Sequence, residues 1–118
     1  MMQYPMVWVN PLTGKKAFQV HGICVRKLFL RRSVEEKPRV IDNVDEIHDF
    51  VLGFQHRVLK PEYILLAPTE EGDMVIWDNY SLLHTAIDYP GKYGERSMHK
   101  ADTGGSIGPR GPVPVPAY

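Results

Sequence analysis

The apolar residues of this chain arrive in short runs, and that spacing constrains the fold more than any other feature. Runs at 6–9, 16–20, 23–30, 63–67, 74–77, 82–87 and 96–101 are each four to eight residues long. Glycine, proline or polar clusters bound them, as expected for strands. The period changes once. Ile47, Phe50, Val51, Phe54 and Val58 recur at helical spacing, which predicts one amphipathic helix over 44–59. Asn43 can cap it, and Glu46 stands where an Asn-x-x-Glu capping box needs it. Pro61 ends the helix by disfavouring helical geometry at the residue before it. Gly53 inside it costs about 1 kcal/mol relative to alanine.

The connections fit the same picture. The segment "NPLTG", residues 10–14, is a turn that joins the first two runs into a hairpin. "RRSVEEKPR", 31–39, reads as a loop, "PTEEGD", 68–73, as a turn, and "DYPGKYGE", 88–95, as the hairpin loop between the last two runs. The fold class predicted is mainly β with one inserted helix, a piece of a double-sheet jelly roll or small barrel. About seven strands are too few to close an eight-stranded jelly roll well. The first run begins almost at Met1, as in a chain that starts mid-domain. Residues 1–103 form the domain portion. The Gly/Pro-rich tail, 104–118, is expected to stay extended or disordered, without packing a core.

Composition narrows the function classes. Of 118 residues 43% are apolar, enough for one modest core. Fourteen basic residues balance fourteen acidic ones, so neither nucleic acid nor an anionic membrane is an expected partner. The basic cluster Arg26, Lys27, Arg31 and Arg32 is interleaved with Leu28, Phe29 and Leu30, and reads as the solvated edge of a strand. No apolar run approaches the ~20 residues of a membrane-spanning helix. Cys24 is the single cysteine, which excludes an intrachain disulfide and fits a reducing, cytoplasmic setting. Between Ile23 and Val25 it reads as a small buried residue.

The candidate chemistry lies in the last two runs. Strand residues two apart share a face, so Leu82, His84 and Ala86 go together, as do Arg96, Met98 and Lys100, with His99 opposite. If both sets face inward, an imidazole, a guanidinium and an ammonium share one interior. Buried cations require anions, and few acids are near, so a bound anion is one resolution. A guanidinium fork matches a carboxylate. The plain alternatives stand beside this: a structural histidine on a strand, and a surface arginine in an ion pair. His48 and His56 read as a solvated helix face.

"GDMVIWDNYSLLHTA" at 72–86 followed by "GERSMHKA" at 94–101 resembles the C-terminal half of the TauD/TfdA family of Fe(II)- and 2-oxoglutarate-dependent dioxygenases. "YPMVWVNPLTGKKAFQV" and "KPEYILLAPTEEGD" resemble the same family in the same order, with the start most like its fungal xanthine dioxygenase branch. The resemblance implies a double-stranded β-helix that holds iron on two histidines and a carboxylate, with open positions for 2-oxoglutarate and O2. It implies that His84 is the distal iron ligand and that Arg96 grips the far carboxylate of 2-oxoglutarate. Trp77, Asp78 and Asn79 match the family's W-D-N run and are expected to support a turn.

The other two ligands lie in an upstream H-x-D motif. None of His21, His48, His56, His84 and His99 begins one here. Two functions follow as expectations. The chain is the C-terminal portion of a dioxygenase acting on a small molecule, or it is a truncated, inactive fragment that at most binds a partner. Lys100 matches a substrate-gripping position and suits an anionic substrate, unless Asp102 neutralises it. A half domain exposes sheet edges, so a missing N-terminal half or self-association is expected to cover them.

Overall fold

The computed structural model describes residues 2–67 and 70–114. Four strands come first: β1 (Val7–Val9), β2 (Lys16–Phe18), β3 (Leu28–Leu30) and β4 (Arg39–Ile41). Helix α1 (Val44–Val58) follows, then extended chain interrupted by single 3-10 turns at Pro61–Tyr63 and Gly91–Tyr93. The architecture is thus two small antiparallel sheets and one helix.

β1 and β2 pair with Val7 opposite Phe18 and Val9 opposite Lys16. The turn between them forms because Asn10 serves both its own backbone and its neighbours'. Its Oδ1 accepts the N–H groups of Leu12 at 2.9 Å and Thr13 at 3.0 Å. Its backbone N–H donates to the Lys15 carbonyl, and its carbonyl accepts from Gly14. Gly14 has φ 69°, a conformation that costs glycine little and other residues more.

β3 and β4 set Leu28 opposite Ile41, both buried. Three expectations are corrected here. Residues 23–30 are not one strand: a 3-10 turn at Gly22–Cys24 precedes the short ladder of β3. That turn breaks the in-out alternation, and Cys24 is exposed rather than buried. The loop expected over 31–39 also gives way at Arg39, which begins β4. Pro38 lacks a backbone donor, so the ladder starts directly after it.

α1 follows from its local sequence. The Asn43 side chain accepts the Glu46 N–H at 3.0 Å, while the Glu46 carboxylate accepts from Arg39 at 2.7 Å. The helix ends at Val58, one residue short of the expectation. Ile47 and Val51 are fully buried against Val20, Leu28 and Ile41. Phe54 stacks on Phe18 at 6.0 Å between centroids. Gly22 lies beside the helix, where a Cβ would meet Val51 Cγ1 at 3.5 Å, an ordinary van der Waals contact.

The core therefore sits in the first half of the chain. The runs at 63–67, 74–77, 82–87 and 96–101, expected as strands, form no ladder. A strand is stable only when neighbouring N–H and C=O groups complete it, and the alternating pattern needs a surface to cover its apolar side. Here Leu65 is 89% exposed and Ile76 86%. The radius of gyration is 17.2 Å, against about 13.5 Å for a compact domain of this length. The accessible surface is 10500 Å², against roughly 6500 Å² for a folded monomer of this mass. The turn expected at 68–73 lies partly outside the described residues; its later part is closed by the Asp73 N–H on the Glu70 carbonyl. The segment 88–95 contains a 3-10 turn at Gly91–Tyr93 and is not the loop of a laddered hairpin.

The described part of the tail, residues 104–114, forms no helix or strand and contacts the rest of the chain. The Val9 N–H donates to the Arg110 carbonyl at 2.8 Å. Tyr80 donates its hydroxyl to the Ile107 carbonyl. Gly111 abuts Pro5 so closely that a Cβ would lie 2.7 Å from the Pro5 Cβ. The missing side chain at Gly111 lets the tail backbone lie against the Pro5 ring. Residues 115–118 lie outside the described residues.

Candidate functional site

The best-defined polar constellation joins the β1–β2 turn to the W-D-N segment. Asn10 is 3% exposed. Its Nδ2 donates to Asp78 Oδ2 at 2.6 Å and to Ser81 Oγ at 2.8 Å. Ser81 Oγ in turn donates to Asp78 Oδ2 at 3.0 Å. The other Asp78 oxygen accepts the Tyr80 N–H at 2.9 Å, and the Asp78 carbonyl accepts from Ser81 and Leu82. The carboxylate thus closes a turn and anchors it. The Tyr80 backbone N–H holds the Asp78 carboxyl below its ordinary value of 3.8; burial opposes this, and Ser81 and Asn10 reinforce it. An open recess beside this node is lined by Leu12, Tyr80 and Ile107.

Trp77 leaves the same turn in the other direction. Its indole Nε1 donates to Asn79 Oδ1 at 2.8 Å, and its ring meets the His84 imidazole at 4.7 Å between centroids, tilted 53°. His84 is exposed. Arg96 is exposed too, with its guanidinium 5.3 Å from the Tyr89 ring centroid and one nitrogen 3.4 Å from the Ile87 carbonyl. Lys100 Nζ is 3.2 Å from Asp102.

Sequence reasoning selected His84, Arg96 and Lys100, and each has a local partner here: Trp77, Tyr89 and Asp102. It missed Asn10 and Tyr89. Asn10 was legible as a turn residue only, because burial by a segment 68 residues away leaves no local signal. Tyr89 offered a weak signal, an aromatic in the loop leading to a candidate anion-binding arginine.

Among the described residues no three His, Cys, Asp or Glu side chains gather as a metal site. The donors of this chain therefore do not fit Fe(II) by themselves. A single imidazole lacks the ligand set and supporting hydrogen bonds that a bound ion needs. A guanidinium presents five donors, and among the described residues that of Arg96 has one hydrogen-bond acceptor, the Ile87 carbonyl. Among the described residues, no helix is long and apolar enough to cross a membrane.

This chain, among its described residues, combines two small sheets, one helix and a W-D-N turn leading to an exposed histidine. It belongs to the taurine catabolism dioxygenase TauD, TfdA family, whose family model matches residues 2–101. It is 45% identical over 112 residues to an alpha-ketoglutarate-dependent dioxygenase of Phomopsis amygdali, covering 95% of this chain and 28% of that protein. A dioxygenase of the same description from Alternaria brassicicola is 43% identical over 113 residues, covering 95% and 28%. An alpha-ketoglutarate-dependent xanthine dioxygenase of Neurospora crassa is 35% identical over 108 residues, covering 92% and 24%. The chain thus spans about a quarter of the length of these relatives. No solved structure matches it.

Proposed function

We propose that residues 1–103 form the C-terminal part of an Fe(II)- and 2-oxoglutarate-dependent dioxygenase domain, followed by the Gly/Pro-rich tail 104–118. Such a domain oxidises a small substrate with O2 while 2-oxoglutarate loses carbon dioxide to become succinate. The family match over residues 2–101 carries this reading. In it Arg96 takes a carboxylate of 2-oxoglutarate in its guanidinium fork, and His84 contributes one imidazole to the metal. The remaining metal ligands come from outside residues 1–118. The same outside segment completes a double-stranded β-helix by giving the exposed runs at 74–77 and 82–87 their ladder partners. Leu65 and Ile76, both over 85% exposed, are surfaces such strands would cover. Lys100 reaches an anionic substrate only by giving up Asp102, so its charge is available at a cost.

A chimaera tests this reading. This chain replaces the matching segment of the Phomopsis amygdali dioxygenase. The chimaera is expected to decarboxylate 2-oxoglutarate, His84→Ala to abolish turnover, and Arg96→Ala to raise the 2-oxoglutarate requirement at least about tenfold. Unchanged turnover in both variants of an active chimaera would overturn it.

A second reading is a catalytically inactive fragment. The donor count favours it, since no three-ligand metal cluster occurs among the described residues. The chimaera separates the two: decarboxylation that depends on His84 overturns the fragment reading, and a folded chimaera without decarboxylation supports it.

A further inference from the structure

We infer that Tyr89 is a positioning residue for Arg96, holding the guanidinium ready for a dicarboxylate; this rests on the reading of Arg96 given above. The loop "DYPGKYGER" is built to present this ring. Pro90 precedes a 3-10 turn over Gly91–Tyr93, and Gly94 leaves it at φ 92°, a conformation that favours glycine. The turn brings Tyr93 back onto Tyr89. Their centroids are 6.1 Å apart, and the Tyr89 hydroxyl donates to the Tyr93 carbonyl at 3.3 Å. Lys92 sits over the Tyr93 ring at 4.9 Å. With the ring held through its contacts to Tyr93, the guanidinium of Arg96 lies over it, 5.3 Å from the centroid.

This contact suits an anion-binding arginine for a physical reason. A free arginine side chain gives up about 2 kcal/mol of rotamer entropy when it is ordered. A neighbouring carboxylate could order it, but it would occupy the donors that the ligand needs. A π face attracts the cation without consuming any N–H. The carbonyl of Ile87 uses one nitrogen at 3.4 Å, a long contact that still leaves an edge for a carboxylate. Tyr89 therefore orders the arginine before the ligand arrives. Lys100 differs on this point, since Asp102 occupies it directly.

The test follows the Arg96 Nε–H resonance of the whole chain by NMR, at constant ionic strength, while 2-oxoglutarate is added without metal. In the unaltered chain this resonance is expected to be ring-shifted and to move saturably. Tyr89→Phe keeps the ring and is expected to behave alike. Tyr89→Leu is expected to lose the ring shift and to bind about three- to fivefold more weakly. Equal affinity across the three chains overturns the role of Tyr89 and leaves that of Arg96 intact. Absence of any response in the unaltered chain overturns the pre-ordering of Arg96 by Tyr89, while the Arg96→Ala chimaera decides the carboxylate role of Arg96 separately. If Tyr89→Leu does not fold, the unaltered chain still decides: an Arg96 Nε–H without a ring shift refutes the pairing.

Discussion

The Asn10 amide donates to the Asp78 carboxylate at 2.6 Å across 68 positions of sequence. This bond ties the hairpin of β1 and β2 to a second half that contributes none of the buried apolar core among the described residues. Asn10 is buried and uses both ends of its amide, with Oδ1 closing its own turn and Nδ2 reaching Asp78 and Ser81. Where little apolar surface is buried between two segments, a hydrogen bond to a charged group carries more of their attachment.

Asn10→Ala removes the donor and the turn acceptor together. We predict a loss of about 2 kcal/mol, in the range for hydrogen bonds to charged groups. A urea midpoint measured by Trp8 and Trp77 fluorescence checks it. An unchanged midpoint would show that the tie contributes nothing to stability.

The acid side of the stability curve should report Asp78. Its folded carboxyl is held below 3.8, chiefly by the Tyr80 N–H. A depressed pKa contributes stability that is fully present above the unfolded value and is lost as pH falls through the folded one. The contribution is therefore complete at neutral pH and fades below pH 3.8. Asp78→Asn should flatten the stability curve below that pH. Parallel curves for the two chains would argue against a depressed Asp78.

Gly53 lies inside α1, and a Cβ there would meet nothing within 4 Å. Gly53→Ala should stabilise the chain by roughly 0.5–1 kcal/mol, because alanine loses less backbone freedom on folding and fits the open space. Thermal melting followed at the helical circular-dichroism band gives the sign directly.

Gly111 packs against Pro5 with no room for a side chain. Gly111→Val should lift the tail off β1 at an overpacking cost of about 1–3 kcal/mol. Amide exchange at Val9, whose N–H donates to Arg110, should then speed up about tenfold or more. The Ile47 amide, inside α1, serves as the internal control.

Much of the first half was legible because its causes are local. The helical period and the Asn43 cap act over three or four residues, and they placed α1 to within one residue. The turn chemistry of "NPLTG" placed the first hairpin. β4 was not legible, since Arg39, Val40 and Ile41 follow a polar run and become a strand only beside β3. Residues 74–77 and 82–87 show the converse. Their apolar content is that of strands, yet a strand needs a neighbour, and here no ladder forms.

The sequence by itself determined the capped helix, the first turn and the family, since each is written in residues close together or in a motif read in order. The tertiary structure alone decided that Asn10 meets Asp78 and that the Arg110 carbonyl of the tail meets the Val9 N–H of β1. The reason is physical. Helix and turn bonds close within a few residues, so local identity specifies them, whereas ladder pairing and buried polar ties depend on which distant groups the folded chain brings within 3 Å.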